Sequence, residues 1–313
     1  MLGRMARPRP RLLVLGDLML DVVVAPARAL VPGTDVPGRV QLRQGGSAAN
    51  TARWLARLGA GSTLVTAVGR DREGRALIDA LRGDGVDLRA NRVAGVPTGR
   101  IGVLVDPDGE RSFVADRGAA DRLRPGDLRP SWFRGLDGIH LPVYSLLGRP
   151  LGLAGRRAIA LARAAGVPVS LDLSSVGPLM AGGRAQASRL IRDARPDLVF
   201  ATAAEAQALV GRRPLEALLA FAPSAIVKRG ADGATVLIDH GGDRQRFEVA
   251  AERISASDTT GAGDAFDAGA LVVWASVPAA ERLRPDRLRR AALAGHRAAT
   301  RQLRGARAEL VIG

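Results

Sequence analysis

The residue types best suited to chemistry lie together in Asp258-Thr259-Thr260-Gly261-Ala262-Gly263-Asp264-Ala265-Phe266-Asp267-Ala268-Gly269. Gly261 and Gly263 allow a close backbone bend and expose amide N–H groups without side-chain obstruction. The apolar run over residues 265–275 predicts a buried helix that starts at this turn. A helix N-terminus carries unpaired N–H groups and about half a positive charge, which suits an anion such as a terminal phosphate. Asp264 falls in that first turn, its carboxylate beside the anion hole these amides would form. Such a set suits a base that takes a proton from an attacking hydroxyl while amides hold a transferring phosphoryl group. Taken alone, the glycines read equally well as an ordinary turn and Asp264 as a favourable charge at a helix start.

Two further segments point the same way. In Gly45-Gly46-Ser47-Ala48-Ala49-Asn50 the glycines bring backbone against a ligand just before a helix, and Asn50 offers both donor and acceptor. Its plainer reading is a glycine turn with Ser47 as an N-cap. Gly16-Asp17-Leu18-Met19-Leu20-Asp21 follows the first predicted strand, where open α/β sheets bind ligands. Asp21 can accept from two sugar hydroxyls at once; otherwise it is an exposed turn aspartate.

The elements that must position these residues alternate. Short apolar runs at 12–15, 63–68, 138–141, 167–171, 198–200, 225–228 and 235–238 predict strands. Amphipathic stretches at 48–58, 73–82, 155–165, 185–192, 203–210, 263–275 and 287–303 predict helices between them. That alternation implies parallel strands with helical crossovers on both faces, an α/β sandwich. Two segments break the rhythm. Residues 22–44 hold short extended pieces with Pro26, Pro32 and Pro37, and residues 98–116 read as a hairpin turning at Pro107-Asp108-Gly109. Both predict a small β layer standing off the main sheet. With no internal repeat or long linker, residues 1–313 are expected to form one domain with this appendage.

Composition narrows the function. Cysteine is absent, which excludes disulfides, thiolate zinc sites and a cysteine nucleophile. His140, His240 and His296 lie far apart, without paired-ligand spacing. The chain carries 46 basic against 31 acidic residues, a net charge of +15, and Lys228 is its sole lysine. The arginines spread through the chain and aromatics are only 3%, so nucleic-acid binding is not expected, while anionic small molecules are favoured. Asp17 and Asp21 interrupt the early apolar run, so no signal segment is expected, and residues 268–280 are too short to span a bilayer. A soluble, cytoplasmic protein is the expectation.

Together these motifs resemble the ribokinase-like (PfkB) carbohydrate kinases over roughly residues 11–305. GGSAANTARWLARLG stands early and DTTGAGDAFDAG late. Val68-Gly69-Arg70-Asp71, Gly85-Val86-Asp87, Pro97-Thr98-Gly99, Asp108-Gly109-Glu110-Arg111 and Lys228-Arg229-Gly230-Ala231-Asp232-Gly233 lie between them. The resemblance implies a three-layer α/β/α sandwich with a β-sheet lid, and a homodimer paired through lids. It implies that Asp264 is the catalytic base, that Gly261, Ala262 and Gly263 form the anion hole, and that Asp21, Gly46 and Asn50 hold sugar hydroxyls, with Gly45 and Ser47 in the same segment. It further implies that Lys228, Gly230 and Gly233 line an ATP site and that Thr202 and Glu205 belong to an Asn-x-x-Glu element placing Mg²⁺ and phosphate. Asp258 and Thr260 match ligands of a monovalent-cation (K⁺) site, completed by carbonyls near 300–305.

The chain departs from the pattern at Thr202, where asparagine is usual, at Met19 and Ser47, where ribokinase has a polar sugar contact and a lysine, and at Leu141-Pro142-Val143-Tyr144, which lacks the sugar-binding glutamate. The expected activity is ATP-dependent phosphorylation of a primary hydroxyl on a sugar or sugar-like molecule. The alternatives are a nucleoside acceptor, with Phe113 and Tyr144 as stacking candidates, and a non-catalytic sugar- or nucleic-acid-binding module. A nicotinamide oxidoreductase is discarded because Phe266 stands where a third glycine belongs.

Overall fold

The computed structural model describes residues 9–106, 110–254, 256, 258–305 and 308–312. The chain begins β1 (Arg11–Leu15), β2 (Met19–Pro26), β3 (Gly38–Gly45), α1 (Ser47–Arg57), β4 (Gly61–Gly69), α2 (Arg72–Gly83) and β5 (Asp87–Val93). There follow β6 (Arg100–Val105), β7 (Arg111–Asp116), β8 (Gly138–Pro142), α3 (Leu151–Ala164), β9 (Val169–Asp172), α4 (Val176–Met180) and α5 (Gly183–Ala194). The last elements are β10 (Leu198–Thr202), α6 (Ala203–Val210), β11 (Ser224–Lys228), β12 (Ala234–His240), β13 (Asp243–Val249), α7 (Ala262–Ala275) and α8 (Pro285–Arg304).

Nine strands form the main sheet, in the order β13-β12-β11-β10-β9-β8-β1-β4-β5. From β11 to β5 every pair is parallel, while β12 and β13 are antiparallel additions at one edge. Successive residues of β1 enter opposite cores. Leu12 and Val14 pack with Ala52 of α1, Leu77 of α2, Leu271 of α7 and Leu288 of α8. Leu13 and Leu15 pack with Ala158 of α3, Ile191 of α5 and Leu209 of α6. A strand buried on both faces must be apolar throughout, which is why Leu12-Leu13-Val14-Leu15 shows no polar alternation. The expected three-layer sandwich is what the chain forms.

The off-rhythm segments form a second sheet, β3-β2-β6-β7, with β2 and β6 parallel and the outer pairs antiparallel. This is the expected lid, but it starts at Met19 rather than residue 22. Asp21 therefore lies on a lid strand and is buried, instead of occupying a turn after β1. The expected turn at 107–109 lies outside the described residues. The strands β5 and β13 were not expected from sequence. Both close an edge of the main sheet, and Asp-Leu-Arg-Ala-Asn-Arg-Val and Asp-Arg-Gln-Arg-Phe-Glu-Val carry the polar residues an edge tolerates.

Because the central strands are parallel, their carboxyl ends reach one rim, the usual ligand crevice of such sheets. Asp17 follows β1, while Asp172, Thr202 and Lys228 end β9, β10 and β11. The lid stands over this rim.

Candidate active site

Gly261 caps α7 in the left-handed region at φ 77°, a conformation that favours glycine. The turn brings Asp264 into the first helical turn, as the sequence predicts. Its Oδ1 accepts a hydrogen bond from Ser47 Oγ at 2.7 Å, and its Oδ2 accepts from Asn50 Nδ2 at 2.9 Å. Both donors lie in the first turn of α1, so the early and late motifs meet at one carboxylate. Burial pushes the Asp264 pKa up to about 6, while the Ser47 and Asn50 hydrogen bonds pull the other way. At neutral pH the carboxylate is mostly ionised and poised to take a proton.

The anion hole differs in one detail from expectation. The Ala262 N–H donates to the Thr259 carbonyl at 3.2 Å, closing the turn. Among the described residues, the N–H groups of Gly261, Gly263 and Asp264 have no protein acceptor. These are the amides left open to an anion.

Gly46, at φ 96°, carries the chain from β3 into α1 past the Asp17 carbonyl, where a side chain would collide. A Cβ on Gly45 would strike the Asp21 carboxylate, so glycine there keeps Asp21 in place. Gly45 thus supports the site without lining its cavity. Asp17 anchors the start of α1 by accepting from the Ala48 N–H at 3.1 Å. It also faces Arg117, at 3.4 Å, whose guanidinium lies 5.1 Å from the Tyr144 ring centroid. Met19 is fully buried and takes no place on the cavity wall.

Two chambers open around α7. One, of about 630 Å³, is lined by Asp21, Gly46, Ser47, Asn50 and Asp264 and walled by Ile101, Phe113 and Ala115 of the lid. The other, of about 700 Å³, is lined by Gly230–Gly233, Thr259, Ala262, His296 and Leu303. Thr202, Lys228 and Gly263 line both, so the chambers meet at the anion hole.

At that junction Lys228 Nζ donates to Asp267 at 2.9 Å and to Asp172 at 3.1 Å. Burial disfavours the ammonium, but Asp172, Asp267 and Glu205 outweigh it and hold Lys228 protonated. Thr202 and Glu205 form a capping box. The Thr202 N–H donates to Glu205 Oε2 at 2.8 Å and the Glu205 N–H to Thr202 Oγ1 at 3.3 Å. Burial, then Asp172, raise the Glu205 pKa, against Lys228. Glu205 opens onto the chamber holding Asp264.

Asp258 lines neither chamber. Arg43 of β3 donates to its Oδ2 at 2.9 Å, and Arg111 of β7 lies 3.1 Å from its Oδ1. Thr260 lines the Asp264 chamber, with its Oγ1 accepting from Arg111 at 2.9 Å.

Sequence reasoning gave no role to Asp172, Asp267, Arg117, Arg43 or Gln302. Asp172 was open to discovery as an acid ending a predicted strand, and Asp267 as the residue one turn past Asp264. Arg43 was hidden among arginines so numerous that it did not stand out, and Arg111 was marked only as part of the Asp108-Gly109-Glu110-Arg111 motif.

The profile of the pfkB family carbohydrate kinases matches residues 9–308. An ATP-dependent ribose-1-phosphate kinase of Halopiger xanaduensis is 32% identical over 281 residues, covering 84% of each chain. Fructokinase-1 of Oryza sativa subsp. japonica is 31% identical over 270 residues, covering 82% of this chain and 80% of its own. The crystal structure of adenosine kinase from Sinorhizobium meliloti superposes with a TM-score of 0.82 at 25% identity, covering 95% of both chains. A buried carboxylate at a helix start, open backbone amides beside it and two adjoining chambers, one of them walled by the β lid, are thus joined to a match along nearly the whole sequence, and the chain belongs to the pfkB family of carbohydrate kinases, enzymes that transfer phosphoryl groups.

Proposed function

We propose that the chain phosphorylates a primary hydroxyl of an uncharged sugar, with ATP in the Gly230–Gly233 chamber and the sugar beneath the lid. The observation carrying this reading is the meeting of two chambers at Gly263, beside an Asp264 carboxylate fixed by Ser47 and Asn50. Asp21 and Asn50 orient the acceptor so that its hydroxyl proton passes to Asp264. The N–H groups of Gly261 and Gly263 face the phosphoryl group in transfer, where preorganised donors stabilise developing charge. The lid limits access of water, which would otherwise compete as acceptor.

Among the described residues no group of three or more His, Asp or Glu side chains is placed to hold a metal ion by itself. Glu205 and Asp172, buried carboxylates at the junction, fit Mg²⁺ held chiefly through nucleotide phosphates and water. When bound, that ion supplies charge neutralisation to the phosphate oxygens. The Thr202 backbone N–H fixes the Glu205 carboxylate, while its hydroxyl caps the helix by accepting from the Glu205 N–H.

The sugar chamber is lined by six carboxylates against Arg117 and Lys228, both already ion-paired. That excess favours a neutral polyol over an acceptor that already bears a phosphate, the kind named for the Halopiger enzyme. Phe113 and Tyr144 on the chamber wall support a second acceptor class, nucleosides, through base stacking. A coupled ADP-release screen over pentoses, hexoses, sugar acids, sugar phosphates and nucleosides tests both. Sugar turnover supports the first reading. Turnover confined to nucleosides, with KM raised by Phe113→Ala, replaces it with the second.

The lid also bears on assembly. Val40 and Val114, at 65% and 76% exposure on its edge strands, support pairing of two copies through the lid. Among the described residues no helix is long and apolar enough to cross a membrane. A single folding unit in the cytoplasm agrees with that and with the core packed on both faces of the sheet.

A further inference from the structure

The loop before the anion hole holds the residues that the family resemblance assigns to a monovalent cation, yet their oxygens already face protein donors. Asp258 Oδ2 accepts from Arg43, and its Oδ1 accepts from the Thr260 N–H at 2.9 Å and lies 3.1 Å from Arg111. The Thr260 carbonyl accepts from Gln302 Nε2 at 2.9 Å, and Gln302 is fixed in turn by Trp54 Nε1 at 3.0 Å. Potassium needs several oxygen lone pairs facing it. Here those lone pairs meet N–H hydrogens, and two guanidinium groups crowd the carboxylate. The residues present do not fit the ion.

What they do fit is a brace. Arg43 and Arg111 stand on the outer strands β3 and β7 of the lid, on the face that carries Asp21, Ile101 and Phe113. Arg43 is the cross-strand neighbour of Asp21. Their side chains are only 16% and 13% exposed, so solvent screens them little. Two guanidinium groups against the Asp258 carboxylate bring positive charge beside the anion hole, where an added cation would otherwise supply it.

We propose that Arg43 and Arg111 replace the monovalent cation, so that closure of the lid, rather than potassium, sets the geometry of the anion-hole loop. This rests on the kinase reading above. In this role Arg111 is a positioning residue that acts through Thr260 and Gly261.

The test measures ADP release from potassium-free buffer to physiological potassium, with tetramethylammonium holding ionic strength constant. Coupled ligands usually change each other's effect by about 5–150-fold. Wild-type turnover should change less than about fivefold, and a larger potassium activation overturns the proposal. Arg111→Ala should lower kcat at least tenfold with acceptor KM nearly unchanged, and Arg111→Lys should restore part of it. A lowered melting temperature with kcat intact means Arg111 is merely structural and overturns the positioning role. Amide exchange in residues 258–264 supplies a readout independent of activity. It should be the same in both salts for the wild type and faster in Arg111→Ala, and potassium-specific protection of the wild type overturns the proposal. If no acceptor yields ADP, the kinase reading fails, while the exchange comparison still decides whether the loop takes an ion.

Discussion

Asp264 is a carboxylate whose environment is arranged for one task. Its replacement by asparagine keeps the shape and the contact with Ser47 but removes the proposed proton acceptor. Turnover of Asp264→Asn should fall about 10²–10⁴-fold, the worth of a positioned base, with substrate binding largely retained. The pH dependence follows from the same group. With its pKa pushed up to about 6, kcat/KM should rise as pH climbs through that value and level off near neutrality. Ser47→Ala removes a hydrogen bond that lowers the pKa, so the rising limb should move to higher pH. Stability runs the opposite way. The folded form holds this proton more tightly than an unfolded aspartate of pKa 3.8, so the contribution of Asp264 to stability falls between about pH 4 and pH 6. Asp264→Asn should therefore melt no lower than the wild type at neutral pH, which thermal unfolding monitored by circular dichroism can check.

At the scale of elements, the site depends on how α1, α6 and α7 begin. Thr202 caps α6 through its hydroxyl, and Thr202→Ala should cost about 1 kcal/mol of stability, read by denaturant unfolding. Thr202→Asn retains a capping side chain and should lose little. Gly45→Ala places a methyl against the Asp21 carboxylate and should raise acceptor KM more than nucleotide KM in steady-state assays. The α7 and α1 starts were legible in sequence because glycine, hydroxyl and carboxylate residues at helix openings are local signals. The lid strand holding Asp21 was less so, since only Gly16-Asp17 part the apolar run of β1 from Leu18-Met19-Leu20, which hides where one sheet stops and the other starts. The charged edges β5 and β13 were invisible for a related reason: pairing on one side needs no apolar alternation. Long-range ion pairs, such as Arg43 with Asp258, leave no local mark at all.

For the whole molecule, the sheet fixes one wall of the site and the lid the other, so changes on the lid should alter substrate access without unfolding the sandwich. If lids pair, Val114→Lys places charge in that contact and should shift the protein from dimer to monomer in multi-angle light scattering, with the far-UV spectrum unchanged. A wild-type protein that is monomeric at high concentration would remove lid pairing. The fold class was readable from alternation alone because parallel strands buried on both faces demand it.

Lys228 gives the molecule one more property. It is the only lysine among 313 residues, and its amine sits between Asp172 and Asp267. Acylating reagents need a free, unprotonated amine, so the native ε-amino group should resist them. The rate at which that single side chain is modified then becomes a built-in clock for opening of the centre of the enzyme, legible by mass spectrometry without any engineered label.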